Sequence, residues 1–95
     1  MSNYKINAAI QLLPIDTTQK RWDVVDKAIV AIQKSGLNYK VCPFETVVEG
    51  ESKQIYELLE QIRLIGLENS NEILINIKIH AANRDLTFDE KLEKY

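Results

Sequence analysis

Between Glu72 and His80 an isoleucine stands at every second position: Ile73, Ile75, Ile77 and Ile79 fall on one side, with Leu74, Asn76, Lys78 and His80 on the other. A period of two is the period of a strand, so this segment is expected to be a strand with one buried face, at the centre of a sheet. From Lys5 to Leu13 the same period recurs, with Ile6, Ala8, Ile10 and Leu12 opposed to Lys5, Asn7, Ala9 and Gln11. Pro14, which has no N–H to give a ladder, is expected to end that strand. A sheet with one apolar face needs amphipathic helices to cover it.

Two segments have the required spacing. Trp22, Val25, Ile29 and Ile32, with Ala28 between them, predict a helix over 20–35, capped from Asp16, Thr17 or Thr18 and stopped by Gly36. Ile55, Leu58, Leu59 and Ile62 predict a second helix, started at Ser52 after a break at Gly50 and ended near Gly66, with a loop over 68–71. Between the helices, 39–42 and 45–49 are β-prone runs separated by Pro43, which reads as a hairpin. Thr87 with Glu90 is a capping-box pattern that opens a short C-terminal helix over 88–95. The order β-α-β-β-α-β is the ferredoxin-like split βαβ arrangement: an α+β fold with a four-stranded antiparallel sheet and helices on one face. No repeat, low-complexity tract or linker divides the 95 residues, so a single domain is expected.

Composition narrows the function. The 12 basic and 14 acidic residues are interspersed, and the formal charge of −2 disfavours electrostatic binding to nucleic acid. No apolar run reaches the ~20 residues that span a bilayer, and the segment Met-Ser-Asn-Tyr-Lys-Ile lacks the features of a secretory signal. A single cysteine, Cys42, excludes an internal disulfide and a cysteine metal cluster. A cytoplasmic protein with no metal or other cofactor is expected. A chain this short buries only roughly two-thirds of its unfolded surface, so self-association is expected to add stability.

Catalytic constellations are sparse. Cys42 and His80 could form a nucleophilic pair only if adjacent strand ends brought them within hydrogen-bond reach, and a free cysteine is more often a small core residue. Glu49 and Glu51 flank Gly50 and could hold a cation or do acid-base work, or simply form a solvated turn that begins a helix. Asp85, Asp89 and Glu90 read as capping and surface charge. Gly36, Gly50 and Gly66 are too far apart to cradle a phosphate, no arginine follows the first strand as an acylphosphatase-type loop requires, and stacking aromatics for RNA are missing from the strands. The sheet face away from the helices carries Asn7, Gln11, Asn76 and Lys78. That face could be merely solvated, yet asparagine is depleted in strands, and amides suit a heteroaromatic ring that needs donors and acceptors together. Thr46 would add a hydroxyl from the hairpin, and Glu49 could neutralise a cationic ligand.

Several stretches resemble the small thiamine-binding proteins of the YkoF-like type: Leu13-Pro14, Ser35-Gly36-Leu37-Asn38-Tyr39, Thr46-Val47-Val48-Glu49-Gly50-Glu51, Ile77-Lys78-Ile79, and Arg84-Asp85 with Thr87 and Lys91. The Thr-x-x-Glu-Gly stretch after Ser-Gly-Leu is the most specific, and the similarity runs over nearly the whole chain. It departs at Phe44 or Glu45, where the family often has a small residue, and at Ala81-Ala82-Asn83, which is less acidic than usual. The resemblance implies a ferredoxin-like fold, pairing of sheets into dimers and of dimers into tetramers, and binding of thiamine or its pyrimidine part without catalysis. A thiamine pocket needs a carboxylate near the thiazolium and amides near the aminopyrimidine. Glu49, then Asn76 with Gln11, and Thr46 are the candidates. The Lys78 ammonium opposes free thiamine, so it points to a phosphate ester or pairs with a neighbouring acid. The alternative function is a structural or regulatory module that docks another protein on this sheet face.

Overall fold

The computed structural model describes residues 3–16 and 20–95. Strand β1 (Lys5–Asp16) leads to helix α1 (Arg21–Lys34), the hairpin β2 (Asn38–Val41) and β3 (Thr46–Glu51), helix α2 (Ser52–Asn69), strand β4 (Glu72–His80) and the short helix α3 (Phe88–Leu92). The four strands form one antiparallel sheet in the order β2-β3-β1-β4, so the expected ferredoxin-like fold is present. β1, not β4, lies inside the sheet. The isoleucine alternation of β4 reports one apolar face, which an edge strand shows as well as a central one.

The core is the layer between α1, α2 and the even-numbered side of β1. Ile6, Ala8, Ile10 and Leu12 are buried there with Val48, Val24, Ala28, Ile32, Ile55, Leu58 and Ile62. The helix cover ends partway along β4. Ile73 and Ile75 pack on the core, whereas Ile77 and Ile79 on the same side stay 42% and 40% exposed.

Several boundaries differ from the sequence reading, each for a local reason. β1 runs through Pro14 to Asp16, because the pairing with β4 shifts register between these residues, and an irregular pair tolerates a missing donor. Beyond the shift, Asn71 N donates to Asp16 O at 2.6 Å. Helix α1 buries Val24, Ala28 and Ile32, and Trp22 is 72% exposed. Its sequence Val24-Val25 and Ala28-Ile29-Val30-Ala31-Ile32 is apolar around much of the circumference, so spacing alone did not single out the stripe. Its N-cap is Lys20, without a side-chain cap, and the proposed caps Thr17 and Thr18 lie outside the described residues. Gly36 follows with φ 78°, the left-handed turn expected after the helix.

Gly50 does not break the chain. It lies within β3 opposite Ile6, and a Cβ there would come 2.9 Å from Leu37 Cδ2. Glu51 then caps α2, with Gln54 Oε1 accepting from its N–H at 3.3 Å. α2 continues past Gly66 to Asn69, so only Ser70 and Asn71 of the expected loop are non-helical. Gly66 serves a close approach, since a Cβ would meet Ile73 Cδ1 at 2.9 Å and Leu12 Cδ1 at 3.4 Å. α3 ends at Leu92, short of the expected Tyr95, and Thr87 Oγ1 accepts from Glu90 N at 3.1 Å as its cap.

Candidate functional site

The side chains of the open sheet face stand in cross-strand rows fixed by the register. The first row runs Asn38, Glu49, Asn7, His80; the second runs Lys40, Val47, Ala9, Lys78; the third pairs Gln11 with Asn76 and the fourth Leu13 with Leu74. The segment leading into α3 is tied across the end of this face. Lys5 N donates to Asp85 Oδ1 at 2.8 Å, Leu86 N to Lys5 O at 3.1 Å, and Asn7 Nδ2 to Leu86 O at 3.0 Å. Leu86 is buried beneath the segment.

Docked in this way, α3 overhangs the first two rows and leaves a recess of about 680 Å³ lined by Ala9, Val47, Lys40, Lys78, His80 and Phe88, among others. The size suits a small organic ligand. Its floor is apolar and flat, because Ala9 and Val47 are small and adjacent in one row. Asn7 forms part of the wall. Its Oδ1 is buried and has no hydrogen-bond partner among the described residues, although its Nδ2 is satisfied by Leu86. A buried acceptor left without a donor costs about 1–3 kcal/mol.

The candidate residues fall at different places. Glu49 is half-buried in the first row with both oxygens engaged: Oε1 accepts from Asn38 Nδ2 at 2.6 Å, and Oε2 from Phe88 N at 2.7 Å. Its carboxylate fastens β2 and α3 to the sheet. Gln11 and Asn76 bond to each other, Asn76 Nδ2 to Gln11 Oε1 at 3.1 Å. They stand two rows from Glu49, about 13 Å along the strands. Lys78 lines the recess and lies 4.0 Å from Glu45 Oε1, with its side chain 83% exposed. Thr46 is not brought to the recess. It pairs with Ile10 and is buried on the helix side of the sheet, because strand alternation gives the open face to Val47 instead.

Cys42 follows β2 and His80 ends β4, at opposite edges of the sheet with β3 and β1 between them, a lateral separation of about 14 Å that by itself rules out a nucleophilic pair. No three His, Cys, Asp or Glu side chains among the described residues are grouped to hold a metal ion, and none of their helices is long and apolar enough to cross a membrane. Sequence reasoning missed Lys40, Lys91 and Phe88. The first required the parity of the hairpin, and the other two required knowing where α3 docks.

Residues 8–95 match the thiamine-binding protein family. A UPF0045 protein of Clostridium perfringens is 31% identical over 90 residues, spanning 94% of this chain and 95% of the relative. The structure of a domain of unknown function, DUF77, from Bacillus cereus superposes with a TM-score of 0.92 at 31% identity, covering 97% of this chain and 90% of that one. A Thermotoga maritima protein provisionally assigned to thiamine biosynthesis or salvage superposes with a TM-score of 0.88 at 26% identity, covering 96% and 98%.

Proposed function

The chain belongs to the thiamine-binding protein family, and from that premise we propose that it is a non-catalytic carrier, buffer or sensor that binds thiamine or a related pyrimidine in the recess under α3. The observation that carries this reading is the recess itself, with the flat apolar floor of Ala9 and Val47 overhung by α3. An aminopyrimidine has a flat face to lie on Ala9 and Val47. Glu49 acts on the ligand at one remove, by holding α3 over the recess and adding negative charge behind its wall. Gln11 and Asn76 form the next amide row, within reach of a substituent that extends beyond the floor, and Lys78 stands at its edge. The provisional assignment of the Thermotoga maritima protein supports a thiamine-related ligand.

The protein acts in the cytoplasm as a homo-oligomer, a dimer of dimers. The supporting feature is β4: an edge strand with Leu74, Ile77 and Ile79 all at least 40% exposed, which offers unpaired backbone and apolar surface to a second copy. Titration calorimetry with thiamine and with its aminopyrimidine tests the binding. Heat is expected with the wild-type protein and none with Ala9→Leu, which fills the floor while leaving the helix-side core alone. No heat from the folded wild-type protein at high concentration would overturn the proposal. Docking of another protein on the open face is the second reading, favoured by Leu74 at 49% exposure in the outermost row.

A further inference from the structure

Resting on that reading, the charges around the recess go further and select among the forms of the ligand. Three lysines line it from three elements: Lys40 on β2, Lys78 on β4 and Lys91 on α3. Lys40 and Lys78 flank Ala9 and Val47 from the two edges of the sheet in one row, and α3 brings Lys91 over the same space. Among the described residues the Lys40 and Lys91 ammonium groups make no hydrogen bond or ion pair, and that of Lys78 has only the 4.0 Å contact with Glu45. Against them the lining offers one carboxylate, Asp89.

The Glu49 carboxylate lies behind the wall, but its oxygens already accept from Asn38 and Phe88, so a cation could take it directly only by loosening α3. The uncommitted groups are therefore ammonium donors on long flexible stems, which hold a phosphate as point charges.

We infer that the recess takes its ligand as a phosphate ester of a heteroaromatic ring, with the ring on Ala9 and Val47 and the phosphate among Lys40, Lys78 and Lys91. Free thiamine, a cation without an anionic group, is the poorer ligand.

The test compares pairs that differ only in the phosphate: thiamine with thiamine monophosphate, and the hydroxymethyl aminopyrimidine with its phosphate monoester. Inorganic phosphate serves as the ring-free probe. Affinity is read by calorimetry on the full chain. Occupancy is read independently by protection of Cys42, the single cysteine and a lining residue, from alkylation. Each ester is expected to bind roughly tenfold more tightly than its alcohol, the value of one added charged hydrogen bond. The gap is expected to shrink in a folded Lys40→Ala/Lys91→Ala variant and as salt is raised. Alcohols that bind as tightly as esters, or a preference untouched in the lysine variant, overturn the inference and leave the proposed function standing. Inorganic phosphate that protects Cys42 as well as the esters do overturns the ring requirement. If none of the probes binds, the proposed function falls and this inference falls with it.

Discussion

Glu49 shows how far a residue's role depends on its neighbours. Read from sequence, a carboxylate beside Gly50 suits a cationic ligand; in the fold its two oxygens tie Asn38 and Phe88 to β3. Glu49→Gln keeps the size but presents an amide N–H₂ to one of the two donors. It is expected to lower stability by about 1–2 kcal/mol, measured by urea unfolding, and to speed hydrogen exchange at the Phe88 amide. Exchange at Phe88 unchanged from wild type would remove the clamp. Asn7 could be placed on the open face from sequence, but its half-satisfied amide could not be seen there, because Leu86 arrives from 79 positions away.

At the scale of elements, the sequence was most informative where period and punctuation agreed. β4, the two main helices and the turn at Gly36 were all legible in this way. Gly66 was misread because a glycine that ends a helix and one that admits a neighbouring strand look alike in sequence. Gly66→Leu is expected to cost about 2 kcal/mol by overpacking against Ile73 and Leu12, and a chemical denaturation midpoint equal to wild type would refute that. Gly36→Ala should cost about 1 kcal/mol, since φ 78° is left-handed. α3 depends on Leu86, which is 1% exposed. Leu86→Ala is expected to destabilise by about 2–4 kcal/mol and to weaken ligand binding together with α3 docking, which calorimetry and thermal unfolding check in parallel.

For the whole molecule, the fold class followed from the order of periodicities, whereas the site depended on quantities no local pattern contains: the strand order, the parity of the hairpin and the landing place of α3. Parity alone exchanged Thr46 for Val47 at the recess. Size and the bare β4 edge together predict self-association at micromolar concentration, to be seen by sedimentation velocity, with Ile79→Lys shifting the boundary toward the monomer. A boundary that is monomeric for the wild-type protein at that concentration would reject it. β1 divides its labour by odd and even numbers: Ile6, Ala8, Ile10 and Leu12 belong to the interior, Asn7, Ala9 and Gln11 to the visitor's side. The odd set can be rewritten for a different guest without disturbing what the even set holds together. A single residue inserted at the start of the strand would turn both inside out in one step.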